Sequence, residues 1–275
     1  MFIGWLKFAD VNNIAKIAED VGWLVDGYHL KLMIMHSPHL AYGAYVEGEL
    51  IGAILAIEFE SSAQIKYFMV KPTYQKQGYG KRLFTTLLGA LKSDYGSLYV
   101  HANPKLVPFF ERYGFTSKSE VGRFLNVGKV PPFNFTNAHA KELDSSNFEN
   151  IISKIDHETF GENRMDFLLD EMERNSSLKF TLPNSFQHSS VVNSRTVYLG
   201  PWQVREGFAD EAEKMMRGVL YFRGLKKVYA DVPMVNTEAV ELFKNYHFEK
   251  KASFVHMSLG TEDRINFDNI YAFSL

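Results

Sequence analysis

The chain has 275 residues, of which 46% are hydrophobic and 15% aromatic, enough apolar material for one or two folded domains, and its 23% charged residues are typical of a globular protein, not a disordered one. A net charge of −2 offers no basic field for nucleic acid or an anionic membrane surface. The absence of cysteine excludes disulfides, thiolate metal sites and a cysteine nucleophile within the chain, and no apolar run approaches the ~18 residues of a membrane span. The N-terminal "MFIGWLKFADVNN" shows no small-residue cleavage pattern, so cytoplasmic residence is expected, and no metal site is expected.

Asp10 or Asn12 caps a predicted helix over "DVNNIAKIAEDVGW", with Ile14, Ile17 and Val21 at helical spacing. "GYHLKLMIMHS" predicts a second, short helix. Tyr42–Glu47 and Leu50–Phe59 read as the strands of a hairpin turning at Glu47-Gly48-Glu49. "AQIKYFMV" is a further strand, stopped by Pro72, which cannot donate to a ladder. "YGKRLFTTLLGALKS" (79–93) predicts a helix with Leu83, Leu87, Leu88 and Leu91 on one face. "SLYVHA" predicts a strand, and "PKLVPFFERYGF" (104–115) a helix closed by Gly114 in the left-handed region.

"GKVPPFNFTNAH" (128–139) reads as a linker, and the order of elements then repeats. A helical stretch over 147–172 precedes two or three strands in 177–200, a helix over 208–222, a strand "LKKVYADVP" (225–233) and a helix "TEAVELFKNYHF". Local details repeat too. A shift of 129 places Pro72 over Pro201, Gly78 over Gly207 and Gly80 over Ala209; a shift of 133 places Asn103 over Asn236, Phe110 over Phe243 and Phe115 over Phe248. Duplication predicts two tandem α+β domains, 1–130 and 131–275, each a mixed, mostly antiparallel sheet flanked by helices. Residues 1–130 carry 14 Lys+Arg against 11 Asp+Glu, and the remainder 16 against 21, so the second half is the acidic one.

The stretch "QKQGYGKR" (75–82) lies where a strand ends and a helix begins. The first turn of a helix presents unpaired N–H groups and a dipole that favours negative charge. Glycines at 78 and 80 permit close approach, and Lys76, Lys81 and Arg82 add positive charge. These features suit phosphate oxygens. The dinucleotide fingerprint fails for want of a third glycine at Leu83, and the P-loop for want of a glycine at Gln75 and a hydroxyl at Arg82.

"QKQGYG" resembles Q/R-x-x-G-x-G/A, the acetyl-CoA pyrophosphate loop of the GNAT superfamily of N-acetyltransferases. "YFMVKP" is similar to that family's fourth strand, and "NPKLVPFFERYGF" to its N-x-x-A-x-x-x-Y-x-x-x-G-F block, with Asn103, Gly114 and Phe115 in register. The likeness covers residues 8–125. Residues 131–275 resemble the divergent acetyltransferase-like C-terminal domain of some two-domain members, through "FGENRMDFL", "LGPW", "DVPMVNTEAVELFKNYHF" and "NIYA".

The resemblance implies acetyl transfer from acetyl-CoA to a small amine or a peptide amine, with no nucleic-acid or membrane partner. Backbone N–H groups of Gln75, Lys76, Gln77, Gly78, Tyr79 and Gly80, with Lys81 and Arg82, would hold the pyrophosphate. Phe68, Met69 and Val70 would pair with the pantetheine arm and polarise the thioester carbonyl through a backbone N–H. Asn103 would contact the arm or cap the following helix. The family often has a tyrosine acid where Phe110 stands; Phe110 has no proton to give, which leaves water or another residue such as Tyr113, on a different helical face, as the substitute. Residues 64–70 contain no carboxylate, which leaves Glu58 and Glu60, expected on one strand face, and His101 as candidate bases. Tyr67 and Trp23 are candidates to line the acceptor pocket, with core packing the favoured expectation for both. In the second half Val204 replaces Gln75, and Glu206, Asp210, Glu211 and Glu213 stand where the first has Gln77, Lys81, Arg82 and Phe84. Such a loop is expected to repel phosphate. A catalytically weak or inactive acyl-CoA-binding protein is the alternative expectation.

Overall fold

A computed structural model describes residues 1–91, 95–143, 148–224, 226–260 and 264–274. The chain divides into two units. One comprises Met1–His101, Gly114–Thr116 and Met257–Asp263, and the other Ala102–Tyr113, Ser117–His256 and Arg264–Leu275.

The first unit runs β1 (Phe2–Trp5), α1 (Val11–Asp20), α2 (Gly27–His36), β2 (Ala41–Val46), β3 (Glu49–Glu58), β4 (Ser62–Val70), α3 (Tyr79–Ala90) and β5 (Ser97–Ala102), whose last residue belongs to the second unit. Neighbours from β1 to β4 pair antiparallel, and β5 lies parallel to β4. A parallel neighbour requires a crossover, which α3 supplies. β3 is buried at every position from Leu50 to Ile57, so both of its faces are covered, and α1, α2 and α3 all pack on it. Ile14 and Ile17 of α1 and Leu83, Phe84 and Leu87 of α3 are fully buried, each contributing ~1.5–3 kcal/mol of apolar transfer. Asp26 caps α2 by accepting the Tyr28 N–H at 3.0 Å.

The second unit contains α4 (Val107–Glu111), β6 (Thr116–Asn126), α5 (Asn137–Glu142), α6 (Phe148–Phe160), α7 (Met165–Met172), β7 (Leu178–Leu182), β8 (Ser185–Asn193) and β9 (Thr196–Val204). There follow α8 (Ala209–Arg223), β10 (Lys227–Pro233), α9 (Thr237–Asn245), β11 (Glu249–Gly260), whose last residues belong to the first unit, and β12 (Ile270–Ala272). β7, β8 and β9 pair antiparallel, β10 lies parallel to β9 across α8, and β6 pairs antiparallel with β10. The run β7-β8-β9-α8-β10 therefore repeats β2-β3-β4-α3-β5, including the single parallel pair. Its core centres on Trp202, whose ring lies 5.7 Å from Phe243 and 5.4 Å from Tyr271.

Several expectations change. Glu60 lies in the turn after β3, not on the strand, so it shares no strand face with Glu58. The helix expected over 104–115 is a 3-10 turn, Pro104–Leu106, followed by the short α4. The long helix over 147–172 is two, because Gly161 takes φ +70° between them. Pro201 does not occupy the place of Pro72: it lies inside β9, whereas Pro72 opens a turn after β4. β1, β6, β11 and β12 were not anticipated. Lys92 and Ser93 at the end of the third predicted helix, Asn147, and Leu225 at the start of a predicted strand lie outside the described residues.

Candidate active site

β4 and β5 stay paired from Ser62/Ser97 to Ile65/Val100 and no farther. β4 then continues to Val70 and β5 to Ala102, and among the described residues no other strand takes that edge of β4. The strands thus part into a cleft. A bulge lies at the parting. β3 steps from Ala53 to Leu55 while β4 steps from Met69 to Lys66, so β4 carries one extra residue, and Tyr67 there has φ +51°. A bulge bends its strand and re-aims the groups around it. Phe68, Met69 and Val70 lie past the last pairing of β4 with β5, while Met69 and Val70 still pair with Ala53 and Gly52 of β3. His101, half-buried, directly follows the last paired residue of β5.

Residues 71–78 connect β4 to α3. Pro72–Tyr74 form a 3-10 turn, and two side chains brace the loop: the Gln75 amide donates to Val70 O at 2.9 Å and the Gln77 amide to Thr73 O at 3.0 Å. Lys76 and Gly78 both adopt left-handed backbone, at φ +60° and +86°, and Gly78 is the N-cap of α3. The Arg82 N–H returns to Gly78 O at 3.1 Å, so the N–H groups of Tyr79, Gly80 and Lys81 project from the helix start without helical acceptors. Among the described residues no acceptor takes the N–H of Lys76, Gln77 or Gly78. The Gln75 N–H is already donated to Pro72 O at 3.2 Å. A Cβ on Gly78 would meet nothing within 4 Å: its backbone angle favours glycine, and the space before the helix stays open. Lys76, Lys81 and Arg82 are exposed and form no ion pair among the described residues. The loop is a set of convergent donors ringed by cations, the arrangement a pyrophosphate needs.

The other candidates are placed differently. Asn103 caps the turn after β5, its Oδ1 accepting the Lys105 N–H at 3.0 Å. Phe110 is buried on α4, its ring edge-on to Phe109 at 5.4 Å, and Tyr113 packs on Phe109 at 5.3 Å. Glu58 lies opposite Ala63 at the hairpin end of β3 and β4, about 13 Å of extended strand from Tyr67. Its carboxylate accepts from the Tyr95 hydroxyl and faces His39 Nε2 at 3.4 Å. Glu60 is exposed in the adjoining turn. Sequence reasoning missed the buried contact between the Tyr67 hydroxyl and His29 Nδ1 of α2, at 2.7 Å. Nothing in the sequence announces it, since His29 sits in an apolar helix and Tyr67 in an apolar strand.

The equivalent cleft of the second unit is filled by its own chain. β9 and β10 pair only from Thr196/Lys227 to Tyr198/Tyr229, and β9 bulges between Leu199 and Trp202. β12 enters there, pairing with Trp202 and Gln203, while the Phe273 N–H donates to Asp231 O of β10 at 2.9 Å. The fit is close: a Cβ on Gly200 would stand 1.9 Å from Phe273 O. Asn236 caps α9 with its Oδ1, on the Ala239 N–H at 2.9 Å, and its amide donates to Ile270 O at 3.0 Å and Asp268 O at 2.7 Å. Only residues 205–208 join β9 to α8, half the length of the first loop. Their Arg205 is taken by Glu158 at 2.6 Å, and the buried Glu211 accepts from Ser185 Oγ at 2.6 Å and from the Asn184 N–H at 3.1 Å.

Residues 25–131 match the profile of the Acetyltransferase (GNAT) domain. No curated protein matches the sequence. Among solved structures, a "Putative Acetyltransferase" of Pyrococcus horikoshii superposes with a TM-score of 0.84 at 19% identity, over 99% of this chain and 93% of that one. A tandem GNAT protein from the clavulanic acid biosynthesis pathway gives 0.63 at 12% identity, over 95% and 99%. A GCN5-related N-acetyltransferase of Sphaerobacter thermophilus gives 0.62 at 12%, over 96% and 98%. At these identities the structures speak for fold alone, and the profile for one stretch: the chain has a tandem GNAT fold over its length, and its residues 25–131 match the GNAT acetyltransferase domain.

Proposed function

We propose that the protein is an acetyl-CoA-dependent N-acetyltransferase with one working cofactor site, built on β4, β5 and the start of α3. The observation that carries this is the coincidence of the parted strands with the loop at the end of β4, whose N–H groups and cations have no partner among the described residues. The residues fit the cofactor chemically. The N–H groups from Lys76 to Lys81, with the side chains of Lys76, Lys81 and Arg82, would bind the pyrophosphate. β4 past its last pairing with β5, from Phe68 to Val70, would pair with the amides of the pantetheine arm, and a backbone N–H of the bulge would polarise the acetyl carbonyl. Bound acetyl-CoA supplies an activated acetyl thioester. The acceptor, a small amine or a peptide amine, must be neutral to attack, and His101 at the parting of the strands is the base best placed to take its proton. Glu58 is already engaged by Tyr95 and His39. Cytoplasmic residence belongs to the same proposal; among the described residues no helix is long and apolar enough to cross a membrane.

The second unit holds no cofactor in this proposal. Its cleft is taken by β12, its loop is half as long, its loop Arg205 is taken by Glu158, and Glu211 in the first turn of α8 is held by Ser185 and Asn184. A CoA titration should therefore saturate at one per chain.

One observation favours the non-catalytic acyl-CoA-binding alternative: the family's acid position holds the buried Phe110. Incubation with acetyl-CoA and a panel of amines, following free thiol, separates the two. Amine-dependent thiol release establishes transfer, whereas stoichiometric CoA binding with no release on any amine supports the binding module. Absence of CoA binding would overturn both.

A further inference from the structure

Tyr67 stands at the bulge of β4 with φ +51°, a backbone region that bulky side chains rarely adopt and that glycine enters freely. Such strain persists only where the surroundings over-determine it. Here the surroundings are specific. The Tyr67 hydroxyl lies 2.7 Å from His29 Nδ1 on α2, both residues are buried, and the rings meet edge-on at 5.7 Å. The next residue, Phe68, is tied to a different helix, its ring 5.8 Å from Phe84 of α3. Two consecutive bulge residues are thus anchored to two different helices, at the point where β4 has left β5. A tyrosine in place of glycine costs backbone strain and returns a side-chain anchor.

We propose that the His29–Tyr67 hydrogen bond is a clamp that fixes the β4 bulge, so that the peptide groups following Tyr67 are held at the angle needed to polarise the thioester carbonyl. This rests on the acetyl-CoA assignment of the cleft. His29 and Tyr67 are positioning residues: they act through the backbone and donate no proton to the reacting groups. Tyr67→Phe removes one hydroxyl and keeps ring, burial and bulge register. His29→Leu removes the partner, and His29→Asn restores a polar group near the position of Nδ1.

The test reads the bound carbonyl directly and needs no acceptor. Acetyl-CoA carrying 13C at the thioester carbonyl is bound to the full-length protein, and the infrared difference spectrum gives its stretching frequency. In the wild type the band should move to lower frequency than in solution. In Tyr67→Phe and in His29→Leu the displacement should be lost, with His29→Asn recovering part of it. The dissociation constant for CoA, set by the distant loop, should stay within about two-fold. The double variant should be no worse than either single one, as expected for two ends of one interaction. A displaced band unchanged by Tyr67→Phe would overturn the clamp and leave the cofactor assignment standing, as would a wild-type band at its solution frequency. Failure of the wild type to bind acetyl-CoA would overturn the assignment itself and the clamp with it.

Discussion

Replacing Gly78 by alanine separates two demands on that residue. The first is conformational. Gly78 has φ +86° and ψ −6°, and an L residue held there pays ~1–2 kcal/mol. No steric charge is added, because the new Cβ meets nothing within 4 Å. A loss of that size should lower the melting temperature by roughly 2–8 °C for a protein of this size. The second demand concerns the ligand. The methyl group would stand at the mouth of the donor set formed by Lys76 to Lys81. Each hydrogen bond to a charged partner is worth about 1.5–3 kcal/mol, so losing one raises the dissociation constant for CoA by roughly 10- to 150-fold. Thermal unfolding of the free protein and titration calorimetry with CoA read the two effects separately. Gly80→Ala is the control, since its Cβ would make an ordinary 3.4 Å contact with the Phe68 ring and needs no left-handed backbone. If Gly78→Ala lowers the melting temperature while CoA affinity holds, the glycine serves the turn alone and the phosphates bind elsewhere. Gly78→Glu adds a negative charge at the same place and should abolish binding.

Other outcomes follow from the same geometry. The triple change of Lys76, Lys81 and Arg82 to alanine should weaken CoA at least ~10-fold at low salt and flatten the salt dependence of its affinity, measured from 20 to 300 mM, since exposed charges are the screened ones. Asn236→Ala removes a helix cap and the donor to Ile270 O of β12 and to Asp268 O in the turn before it, and should destabilise by about 2–4 kcal/mol in denaturant titration. Asn236→Asp keeps the cap but sets a carboxylate against those carbonyls, so it should not rescue. His188 is buried in the second unit, its Nδ1 donating to Gly200 O at 3.0 Å while Nε2 accepts from Ser177 Oγ at 2.8 Å, and burial pushes its pKa down to about 3. The sign is fixed by that direction. Above pH 6.5 the imidazole is neutral whether folded or unfolded and costs nothing; as pH falls from 6.5 towards 3 only the unfolded chain takes the proton. Stability should fall by up to ~1.4 kcal/mol per pH unit, or about 2 kcal/mol at pH 5, and His188→Asn should remove this component in denaturation curves at pH 7.5 and 5.

What could be read in the sequence was what local chemistry determines. The glycines, the bracing glutamines and the cations of the first loop act within a few residues of one another, and their spacing was enough to place the donor set and the start of α3 at Tyr79. The bulge at Tyr67 could not be read in that way, because an extra residue in β4 is defined only by its register against β3. Pro201 misled for the same reason. Proline is excluded from ladder interiors but admitted at bulges, so a proline after a strand and one inside it look alike. β1 is four residues long with Phe2 and Trp5 both 66% exposed, and so carries no alternation to detect. β12 is shorter still and is a strand only because β9 offers it an edge. A period of two would set Glu60 beside Glu58, but β3 ends at Glu58, two residues short of it.

The two halves pose one structural problem and solve it in opposite ways. A strand that leaves its parallel neighbour exposes N–H and C=O groups that must find partners, and each unmet one costs about 1–3 kcal/mol when buried. In the second unit β12 satisfies that edge, and the Asn236 amide completes the enclosure by donating to Ile270 O and Asp268 O. In the first, no described strand takes the edge of β4 past Ile65. An edge left open in one copy and closed in the other, on the same scaffold, is a stability cost carried where a strand-like ligand would repay it. A chain selected for stability alone would have closed both.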